Sequence, residues 1–385
     1  MRGEFNKVSK VKKVKILVLL AGLLCCSCSR TSTAPIPAVR LDSLLAATFP
    51  ADGPGALMMV FDSDSVLYTG TVGLATLDPA SPVTDSTMFN ICSVSKQFAA
   101  AALLRLQEQG LLSLSDSVSK YFPQFESPVF RRITLAHLLS HTSGIPDARP
   151  RTEEQWRRYR LRNESIFDSV ADFRRLSLED ESVRYMVHLD SLAFEPGTAY
   201  EYQNPTYQLV YYIVEQVTGV PFDRWMHDNI FGPAGMKRTV YFEPHRQIPD
   251  MAHGYERTGG SWHESDYGEA NFFPTKADGG IYTDGHDYAR WLQSLFGGKV
   301  LSDSLLMAAT TPVIATDIPD TGYGYGFFIE QRPDAPRKVY HTGDNGGFFI
   351  YEAAFPERNL FYLVFSNQNE WVREDFAAKV DSILF

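Results

Sequence analysis

"FNICSVSKQFAAAALLRLQEQGLL", Phe89–Leu112, sets a serine and a lysine at the mouth of the strongest helical pattern in the chain. Ser93 and Lys96 are three residues apart, so on a helix they share a face. Ser95–Leu112 is rich in Ala and Leu and has Gly110 near its end, which predicts a helix. A serine at such an N-terminus lies among backbone N–H groups that favour a developing oxyanion. A lysine buried beside it would lose proton affinity and could serve as, or assist, the base for the serine. Ser-x-x-Lys alone is a weak pattern, and it recurs at Ser9–Lys12 and Ser117–Lys120. The Ser117 copy lies in "LSLSDSVSKYFPQF", where Pro123 ends any helix within two turns. There Ser115–Asp116 reads as an N-cap, with Val118, Tyr121 and Phe122 as packing residues. Ser93 is therefore the candidate nucleophile.

A nucleophile needs partners. "EYQN" supplies Tyr202-x-Asn204, between the turn "FEPGT" and a long apolar helix pattern over Asn204–Gly219. A tyrosine with a lowered pKa can pass a proton between serine and leaving group. The Asn204 side chain can hold a substrate amide through both donor and acceptor. "HTGDNGGF", His341–Phe348, reads as a strand running into a Gly-rich turn. Small residues there let a substrate lie along the strand. The backbone N–H of Asp344 could complete an oxyanion hole with that of Ser93. His137 and His141 have the spacing of two zinc ligands on a helix, but no Glu follows His137, and "HTSGIPD" reads as a helix exit. No metal site is expected. "GYGYG", Gly322–Gly326, lacks the strand-then-helix setting of a nucleotide loop. Cys92 reads as a buried small hydrophobe. No cofactor is expected.

Strand patterns sit at both ends of the chain. "ALMMVFDSDSVLYTGTVGLA", Ala56–Ala75, reads as two strands around a turn at Ser63–Ser65. "GYGYGFFIEQR", "RKVYHTGDNGGFFIYEAAFP" and "NLFYLVFSNQ" read as consecutive strands, and "EWVREDFAAKVDSILF" as a closing amphipathic helix. "PAVRLDSLLAATF", Pro37–Phe49, has helical spacing and "TLAHLLS", Thr134–Ser140, reads as a short helix. The expected fold is α/β in the α+β sense: an antiparallel sheet flanked by terminal helices, with a mostly helical lobe beside it. The single domain would run over 38–385. Its sheet lobe would span about 38–90 and 275–385, its helical lobe about 91–274. Within the latter, Ala148–Asp190 carries nine Arg and nine acidic residues. That segment reads as solvated, ion-paired helices, or as a lid that shapes substrate choice.

The first 28 residues are set apart. Six basic side chains precede or flank the apolar run "ILVLLAGLLCC", Ile16–Cys26, which is short for a membrane span and reads as a secretory signal. Cys28 follows a small residue, the context of lipoprotein cleavage, and a lipid there would tether the chain to a membrane. Cys25 and Cys26 depart from that pattern, so plain cleavage near this point is the alternative. Residues 29–37 form a Ser/Thr/Pro linker. The expected location is exported, in the periplasm or cell envelope. Only Cys92 remains past this segment, so the body holds no internal disulfide. The formal net charge is −10, and removing residues 1–27, with six basic and one acidic side chain, leaves about −15. That argues against a nucleic-acid partner, whose phosphates need a basic face.

From about Leu41 to the end, the chain resembles the serine β-lactamase-related family: class C β-lactamases, D-Ala-D-Ala carboxypeptidases, D-aminopeptidases and esterases of the penicillin-binding fold. The resemblance rests on the Ser93 and Tyr202 segments and "HTGDNGGF", together with "ITLAHLLSHTSGIPD", "IFGPAGM" and "ADGGIYTDGHDYARWL". It implies that Ser93 is the acylated serine, Lys96 its partner, Tyr202 the proton-transfer tyrosine and Asn204 the substrate-orienting residue. His341, Thr342 and Gly343 stand where the family has Lys-Thr-Gly. Lactamases of the group usually have Lys at His341, whereas peptidases and esterases have His. The implied function is an exported serine hydrolase acting on D-amino-acid peptides of cell-wall type, small esters or β-lactam-like amides. The rival is a penicillin-binding-like module that acylates or binds ligand with little turnover. A metallohydrolase built on His137 and His141 is a distant third.

Overall fold

The structure, a computed structural model, describes residues 36–146, 178–243, 247–265 and 275–385. The export segment 1–28, the linker up to residue 35 and residues 148–177 of the charged segment lie outside the described residues.

The main sheet has eight strands: β1 (Ala56–Phe61), β2 (Val66–Val72), β3 (Ile314–Ala315), β4 (Thr321–Tyr323), β5 (Phe328–Glu330), β6 (Lys338–Asn345), β7 (Phe348–Phe355) and β8 (Leu360–Ser366). Their order is β3-β4-β5-β6-β7-β8-β1-β2, antiparallel at every step. The two ends of the chain meet where Ala56 pairs with Ser366 and Phe61 with Phe361. β1 is buried along its whole length. Its alternation sends Leu57, Met59 and Phe61 into one core and Ala56, Met58 and Val60 into another. β8 repeats this with Phe361, Leu363 and Phe365 on one face, and Leu360, Tyr362 and Val364 on the other. A strand apolar on both faces needs two covering layers.

Helices α1 (Ala38–Thr48), α2 (Lys96–Glu108), α3 (Leu135–Leu139), α4 (Leu178–Val187), α5 (Asn204–Thr218), α6 (Gly285–Phe296) and α7 (Arg373–Leu384) supply most of those layers. Leu41 and Leu45 of α1 join Phe376 and Val380 of α7 over the outer core. α2 lies in the inner core and is buried from Lys96 to Leu104. An Ala- and Leu-rich helix, apolar nearly all round, is stable only when enclosed. Phe98 stacks on Trp291 of α6 at 4.0 Å. α5 ends where Gly219 takes a left-handed φ of 69°, as its sequence predicts.

The antiparallel sheet, terminal helices and helical lobe agree with the expected fold class. The fold also holds elements that local pattern did not reveal. Phe89–Asn90, Ile281–Thr283 and Val240–Tyr241 form a three-stranded sheet. Tyr255–Thr258 and Ser261–Glu264 form a hairpin. Strands of two to four residues are too short for period-2 patterning to show.

Candidate active site

Ser93 does not lie on α2 itself. It sits on a 3-10 turn, Cys92–Ser95, immediately before that helix. Cys92 enters the turn at φ 50°, a left-handed conformation that a non-glycine residue adopts at a cost of about 1–3 kcal/mol. The Asn90 side chain supports it, accepting from the Cys92 N–H at 2.8 Å. Cys92 is itself buried, 2% exposed, as expected of a small hydrophobe. Ser93 is the one partly exposed side chain between Ile91 and Ala100. The turn thus lifts one hydroxyl out of an otherwise buried run.

Lys96 is fully buried, and its Nζ donates to Ser93 Oγ at 3.0 Å. The ammonium also donates to the Asp278 carbonyl at 3.0 Å and lies 4.0 Å from the Asp278 carboxylate. Asp278 is held in turn by Gln208 Nε2 at 3.2 Å and by the Thr275 hydroxyl. Tyr202 joins the group with its ring centroid 5.0 Å from Lys96 Nζ. Tyr202 also lies 6.2 Å, ring to ring, from His341. Asn204 opens α5, and its Oδ1 is buried without a hydrogen-bond partner among the described residues.

β6 forms the facing wall. A Cβ on Gly343 would come within 2.5 Å of the Ile91 carbonyl and 3.0 Å of Cys92 Cβ. Only glycine lets the strand lie flush against the Ser93 turn, and that seats residues 343 and 344 alongside it. Thr342 is half-buried and Asp344 is exposed at this wall. His341 is buried, 1% exposed. Its Nδ1 donates to the Thr342 carbonyl at 2.7 Å, so Nε2 is the acceptor for the Tyr323 hydroxyl at 3.0 Å. Burial, helped by the nearby Lys96 charge, pushes the imidazole down to about 3. His341 is therefore neutral at ordinary pH, further from a carboxylate-binding cation than its unperturbed chemistry suggests.

Three further groups escaped sequence reasoning. Arg373, at the start of α7, donates to the Gly343 carbonyl at 2.7 Å and lies 4.0 Å over the Phe349 ring. Gln97 donates to Glu352 of β7, while its own carbonyl accepts from Tyr288 at 3.0 Å and Trp291 at 3.1 Å. Burial pushes the Glu352 carboxyl up to about 8, against the hydrogen bonds that favour its charge. Asp278 is the third; "ADGGIYT" contains it, yet nothing local marks a carboxylate 182 residues away as the lysine's neighbour.

The other candidates resolve differently. Ser117 is itself the N-cap of a 3-10 turn, Val118–Lys120, and Ser115–Asp116 is not the cap. The Ser117 hydroxyl accepts from Ser119 N–H and donates to the Phe130 carbonyl at 3.0 Å. Asp116 instead binds Ser113 N–H, Lys120 and Tyr121. His137 closes a capping box with Thr134 at the N-terminus of α3. His141 turns away from it, accepting the Gln203 N–H on Nδ1 at 3.0 Å.

An eight-stranded antiparallel sheet, a helical lobe and a Ser-x-x-Lys pair at their junction define a penicillin-binding type of fold. The sequence model of the Beta-lactamase family matches residues 45–382, and the chain belongs to that family of serine hydrolases. A penicillin-binding protein of Bacillus subtilis (strain 168) is 26% identical over 327 residues, covering 81% of this chain and 68% of that protein. A D-aminopeptidase of Gluconobacter oxydans (strain 621H) is 30% identical over 284 residues, covering 74% of this chain and 50% of that protein. The chain thus spans half to about two-thirds of these two relatives. The crystal structure of a penicillin-binding protein from Bacillus halodurans superposes with a TM-score of 0.73 at 26% identity, covering 90% of this chain and 98% of that one.

Proposed function

We propose that this chain is an exported serine hydrolase that acts through an acyl-enzyme on Ser93, with D-amino-acid peptides or small esters as acyl donors. The observation that carries the reading is the 3.0 Å contact between the buried Lys96 Nζ and the one partly exposed hydroxyl of its turn. Ser93 Oγ attacks the carbonyl carbon while Lys96 Nζ, as the free amine, takes its proton and hands it through Tyr202 to the leaving alcohol or amine. The Ser93 and Asp344 N–H groups hold the oxyanion. Water then attacks the ester, releases the acid and returns a proton to Ser93. Asn204 Oδ1, a buried acceptor with no partner among the described residues, suits a substrate N–H. The relative that is a D-aminopeptidase supports the choice of acyl donor.

The neutral His341 bears on specificity. It offers no cation to the carboxylate that a β-lactam carries, so peptidase or esterase action is favoured over efficient β-lactam hydrolysis. The N-terminal segment supports export, and a lipid on Cys28 would hold the enzyme at a membrane.

Incubation with a fluorophosphonate or a fluorescent penicillin, followed by peptide mapping, is the test. The adduct is expected on Ser93, with turnover of a p-nitrophenyl ester lost in Ser93→Ala. Activity that survives Ser93→Ala, with no adduct at Ser93, overturns the serine mechanism. A stable adduct without turnover favours the penicillin-binding module instead.

A further inference from the structure

His141 brackets Tyr202 in the chain. Its carbonyl accepts from the Glu201 N–H at 3.0 Å, one residue before the tyrosine. Its Nδ1 accepts from the Gln203 N–H at 3.0 Å, one residue after. Between those two bonds its ring lies against the Tyr202 ring, centroids 4.2 Å apart and planes 36° apart. The neighbouring residues extend the same seam: Gly197 N–H reaches the Thr142 carbonyl at 2.8 Å, and Ala193 N–H the Gly144 carbonyl at 2.7 Å. From the other side, the Thr206 and Tyr207 hydroxyls bond the Leu138 and Leu139 carbonyls at the end of α3. Helix-end carbonyls need such partners.

His141 is an unusual residue for this position. Its φ is 57°, a left-handed conformation that normally selects Gly or Asn after a helix. It is completely buried, enclosed by the rings of Tyr200, Tyr202, Tyr207 and Tyr323. Because Nδ1 accepts, Nε2 carries the proton, and that buried N–H has no hydrogen-bond partner among the described residues. Burial keeps the ring neutral. Backbone strain and an unpaired buried donor each oppose folding, so chain packing alone does not account for an imidazole here.

We propose that His141 is the positioning residue of the proton-transfer tyrosine, holding the Tyr202 ring over Lys96 by clamping both flanking peptides and stacking on the ring. This rests on the role given to Tyr202 under the proposed function. Its hydrogen bonds and ring contact place it to act through the Tyr202 segment.

Two substitutions separate its parts. His141→Asn keeps a residue suited to the left-handed backbone and removes the ring. His141→Phe keeps a stacking ring and removes the Nδ1 acceptor. The readout is the rate at which a fluorophosphonate labels Ser93, measured across pH in wild-type and Tyr202→Phe backgrounds, with folding checked by circular dichroism at the assay temperature. A tyrosine displaced by about an ångström should slow labelling about 10- to 100-fold and move the alkaline limb of the profile. In the Tyr202→Phe background the same substitutions should change the rate by less than about twofold, because a residue acting through the hydroxyl has nothing left to position. Equal losses in both backgrounds, no loss with the hydroxyl present, or failure of both variants to fold would each reduce His141 to a structural residue. Unchanged labelling in Tyr202→Phe alone would instead sink the tyrosine's role, and this inference with it.

Discussion

The sequence Ser-Val-Ser-Lys occurs at Ser93–Lys96 and at Ser117–Lys120; the first runs from a 3-10 turn into α2, whereas the second caps and fills an isolated 3-10 turn. Lys96 is fully buried, beside Ser93 Oγ and Asp278. The Lys120 side chain is 55% exposed and pairs with Asp116 at 2.8 Å. The Ser93 hydroxyl meets an ammonium, whereas the Ser117 hydroxyl is spent on backbone groups. The difference lies in the residues C-terminal to each lysine. After Lys96 comes a helix apolar enough to be enclosed between the sheet and the helical lobe. After Lys120 come Tyr121, Phe122 and a proline that ends the turn, leaving the lysine at the surface. Identical residues end up enclosed or at the surface according to whether the next two turns are buried.

Paired substitutions test that contrast most sharply. Ser93→Ala should lower kcat/KM for an acyl substrate by about a thousandfold or more. Ser117→Ala should leave it within about twofold and lower stability by about 1 kcal/mol, the loss of an N-cap. Comparable losses of activity at the two serines, by steady-state assay, would erase the distinction. Lys96→Ala comes next, with about a hundredfold or greater loss of rate and a lower Tm, because the buried Asp278 is left without its cation. Lys120→Ala removes an exposed pair and should cost under about 1 kcal/mol with no change in rate.

The smallest effect concerns pH. The Glu352 carboxyl, pushed up to about 8, keeps its proton in the folded state where the unfolded chain has already released it above about 4.5. Stability should therefore fall as pH rises between those values. His341 works in the opposite direction: pushed down to about 3, it costs stability as pH falls below its ordinary 6.5. Glu352→Gln should flatten the decline of Tm between pH 5 and pH 8. An unchanged slope in thermal melts would show that the carboxyl is ionised in the fold.

Much of the fold was legible because it is written locally. β1, β2 and the C-terminal meander announce themselves through apolar runs cut by turn residues, and α2 and α5 through long helical patterns. The Ser115–Asp116 cap was misplaced by one or two positions, because serine and aspartate in succession all qualify as caps and only the hydrogen bonds choose among them. Part of the candidate site was legible too: Ser93 and Tyr202 both lie against Lys96, and His341 lies 6.2 Å from Tyr202, ring to ring. Their states were not. Asp278 reaches Lys96 across 182 residues, and no periodicity encodes such a pairing. His141, whose spacing from His137 suggests only a metal pair, instead clasps the Tyr202 segment.

By itself, the sequence determined the longer strands and helices, and that the body is acidic and has no internal disulfide. Those properties follow from residue type and short-range spacing. The tertiary structure alone decided that His341 is neutral, that Glu352 holds its proton near pH 7, and that Lys96 has Asp278 beside it. Charge state depends on how much water each group has lost and which charges lie within a few ångströms, and both are set by chain segments far apart in sequence.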